Sequence, residues 1–179
     1  MASFLLLIYK FLSIIFTPVV IIIVLLRVLQ GKEISSRIKE RFGFSSIKRP
    51  NGKLIWINAS SIGEYLATIS LIKKIRKIKP NTKILITTNT KTSAILAQKI
   101  KDKNIIHQFT PQDNPLVIKK FLNYWRPSLV LWMESEFWPI ILDETKKYGI
   151  EIILLNGRMS DKSFRNWNYF KFFFKKVIT

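Results

Sequence analysis

Four short stretches carry side chains able to do chemistry, and each follows or closes a β-prone run. In Ala59-Ser60-Ser61-Ile62-Gly63-Glu64, the serines suit the free N–H groups of a helix start and Gly63 permits close approach of a ligand to the backbone. Two readings of Glu64 follow. Either it faces a cleft as an acid or base, or it completes the Ser61-x-x-Glu64 capping box by bonding back to its own cap. In Met133-Glu134-Ser135-Glu136-Phe137-Trp138-Pro139, Glu134 and Glu136 point to the same side if the chain stays extended. Burial beside Phe137 and Trp138 would raise the pKa of one of them, suiting it to proton transfer or to hydroxyl binding. Left exposed, they are helix-start acids favoured by the dipole. Arg158, in Asn156-Gly157-Arg158, presents a planar fork to a carboxylate or phosphate, or pairs with Glu134 or Glu136. The hydroxyl-rich stretch from Thr87 to Ser93 reads chiefly as helix capping, with contacts to a polar substrate as its other use.

Composition narrows the chemistry. Lys and Arg total 30 against 11 Asp and Glu, a formal charge of +19, so anionic partners are expected: phospholipid, nucleotide, phosphorylated substrate or nucleic acid. The chain has no cysteine, which removes disulfides, thiolate metal sites and a cysteine nucleophile together. Its single histidine, His107, cannot build a zinc cluster and reads as a strand-end residue, so no metal is expected. Neither of the two familiar glycine-rich phosphate loops occurs, and no cofactor is expected. Charge alone would suit nucleic acid, but RRM, KH and helix-turn-helix signatures are missing, so nucleic acid is not an expected partner.

The elements that must position these residues alternate regularly. Strand-like runs fall at 54–58, 83–88, 104–109, 128–133 and 151–156. Helix-length segments separate them, beginning with the stripe Leu66, Ile69, Ile72 and Ile75, with Leu71 beside it, and stopping at Pro80 and Asn81. Further helices are expected over 92–101, 115–124, 138–148 and from 161 onward. This order predicts an α/β, Rossmann-like parallel sheet with helices on both faces, whose ligands gather beyond the carboxyl ends of the strands.

Ahead of that domain, residues 4–26 form a 23-residue apolar run interrupted by Lys10 and Pro18, long enough to cross a bilayer as one helix. The expected organisation is a membrane anchor over 1–30, a basic juxtamembrane linker over 31–52 and the α/β domain over 53–179. A cleaved signal peptide fits less well, because Arg27 follows the run without a small-residue cleavage pattern. The basic residues Arg27, Lys32, Arg37, Lys39, Arg41, Lys48, Arg49 and Lys53 predict a single-pass orientation with the domain in the cytoplasm, and contact with anionic phospholipid.

Taken in order, WINASSIGE, TTNTKTS, FTPQDNP, MESEFWP and NGRMSDKS, behind an apolar segment and the Arg37-x-x-x-Arg41-Phe42-Gly43 motif, resemble the 3-deoxy-D-manno-octulosonic acid (Kdo) transferases. That resemblance implies the first of the two Rossmann-like domains of a GT-B glycosyltransferase at the inner membrane. The lipid A precursor would be its acceptor and CMP-Kdo its donor. It makes Glu64 the general base and Glu134 a carboxylate that steadies the transition state, with Ser60, Ser61, Gly63, Glu136 and Arg158 around the substrate. The donor domain is expected to lie outside these 179 residues, leaving a non-catalytic lipid A-binding or scaffold protein as the alternative. Asn58, Ser93 and Ile140 depart from the family pattern, where histidine, glycine and asparagine are usual.

Overall fold

The computed structural model describes residues 2–133 and 138–157. Its β-branched and aromatic runs become five strands: β1 (Leu54–Asn58), β2 (Lys83–Thr88), β3 (Ile105–Phe109), β4 (Leu129–Met133) and β5 (Glu151–Leu155). They form one sheet of order β3-β2-β1-β4-β5, every adjacent pair parallel. Alternate residues of a strand face opposite sides, so the sheet carries two cores. Leu54, Trp56, Leu85, Val130 and Trp132 pack under α5 (Pro115–Trp125) and α6 (Pro139–Lys147). Ile57, Ile84, Ile86 and Leu131 pack under α3 (Ile62–Ile78) and α4 (Lys91–Gln98).

This is the expected parallel sheet with helices on both faces. One helix differs in detail: Leu66 of the anticipated stripe is exposed, and Tyr65, Thr68 and Ile72 form the buried side of α3. A Tyr body supplies more apolar area than Leu at that contact, and its hydroxyl reaches the Leu96 carbonyl at 3.4 Å. The expected helix from residue 161 lies outside the described residues.

The N-terminal run is not the single helix anticipated, although its two pieces together have the length and composition of a broken span. No single helix among the described residues is long and apolar enough to cross a membrane. The run instead forms α1 (Ala2–Ile15) and α2 (Thr17–Leu29), bent by 56°. Pro18 lies at the start of α2, where its ring and missing N–H interrupt the ladder, and Phe16 takes the break. Nor is Lys10 a mere interruption. It is nearly buried and pairs with Asp143 at 2.5 Å and with Glu144, both on α6. Tyr9 donates to Asp113 at 3.0 Å, while the Asn114 amide donates to the Ser13 carbonyl at 3.0 Å and to the Thr17 hydroxyl at 3.2 Å. The pair is thus fastened sideways to the domain, while Phe4, Leu7, Phe11, Ile15 and Ile22 stay exposed. An apolar surface of this extent marks an interaction face.

Within the expected linker the arginines and the lysines part company. A 3₁₀ helix (Ser35–Phe42) turns its arginines inward, ending at Gly43 with φ of 79°. Arg37 pairs with Glu40 and His107, Arg41 with Glu33, and Arg49 donates to the Trp125 carbonyl at 2.6 Å. Lys32, Lys39, Lys48 and Lys53 remain exposed. A guanidinium spreads its charge over a fork that several carbonyls can share, whereas an ammonium is more strongly hydrated.

Candidate active site

In the strand order β3-β2-β1-β4-β5, the connections leaving β1 and β4 diverge to opposite sides, opening a crevice at their carboxyl ends. The loop after β1 leads directly into α3. Ser61 caps that helix by accepting the Glu64 N–H at 3.2 Å, and the Glu64 carboxylate accepts the Ser60 N–H at 2.7 Å. The acid is 4% exposed. The geometry shows the local reading in modified form: Ser61 caps α3, and Glu64 bonds back to the N–H of Ser60, the residue before the cap. Gly63 is exposed, and a Cβ there would come no nearer than 3.9 Å to the Ser61 hydroxyl, so packing does not demand glycine at this position.

Polar groups beneath this loop are incompletely used. Trp56 Nε1 donates to the Thr87 hydroxyl at 2.8 Å, which donates in turn to Asn58 Oδ1 at 2.8 Å. The Thr110 hydroxyl reaches the same oxygen at 3.3 Å. Asn58 thus occupies the departure from the family pattern as part of a buried network. Its Nδ2 and the Ser60 hydroxyl are nevertheless buried without a hydrogen-bond partner among the described residues. Buried polar atoms of this kind cost about 1–3 kcal/mol unless a ligand or water meets them.

Beside the loop, the Ser60 carbonyl accepts the Asn89 N–H at 3.1 Å, and Asn89 forms part of the wall of a cavity of about 350 Å³ lined by both polar and apolar side chains. Arg41 is central to its wall. The guanidinium donates to the Asn89 carbonyl at 2.6 Å and to Glu33 at 3.1 Å, and it stacks 4.4 Å from the Phe109 ring centroid. Burial pushes its pKa below the usual arginine value, opposed by the charge of Glu33. Its Nε has no acceptor among the described residues. The spacing Arg37-x-x-x-Arg41 was visible in the sequence, but Glu33, Asn89 and Thr110, which hold Arg41, are brought to it only by folding.

His107 stands apart from the crevice chemistry. The Arg37 guanidinium donates to Nδ1 at 2.9 Å, leaving Nε2 to carry the proton towards the Thr88 hydroxyl, also at 2.9 Å. Burial, with the charges of Arg37 and Arg41, drives its pKa down to about 3, so the ring is a neutral structural bridge. The 87–93 stretch is largely consumed as expected of capping: Thr87 and Thr88 serve the networks above, and Thr90 caps α4 by accepting the Ser93 N–H at 3.2 Å. Ile140 is wholly buried in the core, and its N–H donates to Asp113 at 3.3 Å. Glu134, Glu136 and Arg158 lie outside the described residues.

A family model described as 3-deoxy-D-manno-octulosonic-acid transferase (kdotransferase) matches residues 36–179. A 3-deoxy-D-manno-octulosonic acid transferase of Rickettsia bellii is 39% identical over 170 residues, covering 95% of this chain and 40% of that protein. A probable mitochondrial 3-deoxy-D-manno-octulosonic acid transferase of Arabidopsis thaliana is 41% identical, covering 79% of this chain and 32% of its own length. The corresponding enzyme of Haemophilus influenzae is 28% identical, covering 91% of this chain and 38% of the relative. The chain thus spans less than half the length of each of these proteins.

Proposed function

Because the chain belongs to the 3-deoxy-D-manno-octulosonic acid (Kdo) transferase family, we propose that it forms the acceptor-binding part of an enzyme of lipopolysaccharide biosynthesis. That enzyme transfers Kdo from CMP-Kdo to the lipid A precursor. The donor nucleotide is taken by a second domain of the kind the longer relatives have room for. In this reading an acceptor hydroxyl loses its proton to Glu64 as its oxygen attacks the anomeric carbon of Kdo. A new C–O bond forms, the bond to CMP breaks on the opposite face, and the configuration inverts. Glu134 steadies the developing charge, and Ser60, Ser61, Gly63, Glu136 and Arg158 surround the reacting sugars.

The observation that carries the reading is the setting of Glu64. The acid is buried in the loop after β1 and bonded to the N–H of Ser60, whose hydroxyl, like the Asn58 amide at the end of β1, has no hydrogen-bond partner among the described residues. Two influences oppose each other there. The helix N-terminus and the Ser60 N–H favour carboxylate, whereas burial favours the protonated acid a base must become. Work at the cytoplasmic face of the inner membrane accords with the exposed apolar face of α1 and α2 and with the exposed linker lysines.

Glu64→Gln in the full-length enzyme tests the assignment cleanly, because Gln retains an oxygen for the Ser60 N–H but cannot accept a proton. Turnover is expected to fall about 10²- to 10⁴-fold with the fold intact. Unchanged turnover would refute it. A non-catalytic lipid A-binding or scaffold role is the second reading, favoured by the engagement of Glu64 in its own cap. Under that role the protein binds the lipid A precursor yet transfers no Kdo when supplied with CMP-Kdo and the donor domain.

A further inference from the structure

The loop between β3 and α5, Thr110-Pro111-Gln112-Asp113-Asn114, starts at one edge of the sheet and reaches past β2 to the end of β1, where the Thr110 hydroxyl donates to Asn58 Oδ1 at 3.3 Å. Further along, the Gln112 N–H donates to the Arg41 carbonyl at 2.8 Å. Asn114 caps α5 by accepting the Leu116 N–H at 3.0 Å, while its amide holds Ser13 and Thr17. One short loop thus touches the crevice strand, the 3₁₀ helix, both N-terminal helices and α5. Its remaining polar side chain, Asp113, is 8% exposed.

That carboxylate serves two elements at once. Helix α6 opens on Trp138 and Pro139, and its N-cap residue supplies no side-chain acceptor for the free N–H groups of the first turn. Asp113 supplies it from 27 and 28 positions away: Oδ2 accepts the Ile140 N–H at 3.3 Å and Oδ1 the Ile141 N–H at 2.8 Å. Oδ2 also accepts the Tyr9 hydroxyl of α1 at 3.0 Å. A serine or aspartate at the N-cap itself would satisfy such N–H groups equally well. What the remote acceptor adds is a fixed place for the first turn of α6 relative to α1 and to the loop after β3. Residues 134–137, Glu134 and Glu136 among them, join Met133 to Trp138. Pairing of β4 with β1 and β5 holds the first end of that stretch, and Asp113 holds the turn that follows the second.

We propose that Asp113 is a positioning residue for the transfer reaction: it clamps the first turn of α6 to α1, and so sets where the stretch carrying Glu134 meets the crevice. The proposal rests on the transferase reading for the part that Glu134 takes. It adds a residue that touches no substrate, and a mechanical link from Tyr9 on the N-terminal helix to the chemistry. Catalysis is sensitive to such links because a carboxylate displaced by about 1 Å can lose about 10²-fold in rate.

The test uses the full-length enzyme in mixed micelles and reads two quantities, the kinetics of Kdo transfer and hydrogen exchange at the Ile141 amide, with the amides of β2 as an internal control. Asp113→Ala should lower kcat about 10- to 100-fold and leave the acceptor KM within about twofold. Asp113→Asn should restore most of the turnover, because its Oδ1 still accepts from Ile141 and its amide can donate to the Tyr9 hydroxyl. Tyr9→Phe cuts only the link to α1. It should speed exchange at Ile141 about two- to tenfold while β2 is unchanged, and lower kcat by a similar factor. In the Asp113→Ala background Tyr9→Phe should have no further effect, since Tyr9 acts through the carboxylate. Should Asp113→Ala fail to fold, Tyr9→Phe and Asp113→Asn decide the matter.

A loss confined to KM, an Asp113→Asn variant that folds yet is as slow as Asp113→Ala, or exchange that rises equally in β2 and at Ile141 would overturn the proposal, the last because it marks a general loss of stability. Hydrogen exchange needs neither donor nor turnover. Local loosening at Ile141 in a protein whose unmodified form transfers no Kdo would therefore sink only the transferase reading. An active enzyme in which Tyr9→Phe alters neither kcat nor Ile141 exchange would sink only the clamp.

Discussion

Replacing Lys10 by Met tests how firmly the N-terminal helix belongs to the domain. Met keeps the length of the apolar stem and removes the charge that meets Asp143 and Glu144, whose side chains are 14% and 3% exposed. Breaking a buried ion pair from one side typically costs about 3–5 kcal/mol, because the abandoned charge stays desolvated. Here Lys147 remains, 2.8 Å from Asp143, but with a side chain 57% exposed it offsets about 1 kcal/mol at most. The expected loss is therefore about 2–4 kcal/mol at neutral pH. Burial alone would raise the pKa of Asp143, but hydrogen bonds from Lys10 and Lys147 hold it below the ordinary carboxylate value. The folded value is thus lower than the unfolded one. The stabilisation is present above the unfolded value and is lost as pH falls through the folded one, so the penalty of Lys10→Met should shrink in acid. Urea unfolding in mixed micelles, followed by tryptophan fluorescence, gives the free energies, and a cycle with Asp143→Asn gives the coupling. A loss under about 0.5 kcal/mol together with additive single and double variants would refute the reasoning.

Gly43→Ala forces a left-handed residue to carry a Cβ that would lie 2.4 Å from the Val117 carbonyl oxygen. A loss of about 2–4 kcal/mol is expected in the same unfolding assay. Asp113 is pushed up to about 6, chiefly by burial, despite donors from Ile141, Ile140 and Tyr9. Its folded value exceeds its unfolded one, so its contribution is complete below the ordinary carboxylate value and is lost as pH rises through about 6. Asp113→Asn should remove that component, so that stability of the native chain relative to the variant declines between pH 4 and 6; a constant difference would contradict the assignment.

The sheet was legible because each strand is a compact β-branched or aromatic run, and β1 to β4 are buried on both faces, whereas β5 at the edge leaves Ile153 and Leu154 exposed. The beginning of α3 was legible too, since Ser61 and Glu64 carry the capping spacing in four residues. What escaped were contacts closed over long stretches of chain. The Arg41 side chain reads as a solvated cation until Glu33 and the Asn89 carbonyl are placed around it. Similarly, Lys10 and Pro18 read as blemishes in an apolar span, because their structural meaning depends on α6 and on the bend at Phe16. Hydropathy counts residues along a line and cannot register a partner more than a hundred positions away, as Asp143 is from Lys10.

The 56° bend changes what the first thirty residues do mechanically. Helices of 14 and 13 residues are each about 20 Å long, short of the roughly 30 Å hydrocarbon thickness. Bent and clamped to α5 and α6, they act as a foot with a fixed ankle rather than a leash. Where that foot rests on lipid, it fixes both the height and the tilt of the crevice. The orientation of the crevice relative to that foot is then set once, when the protein folds.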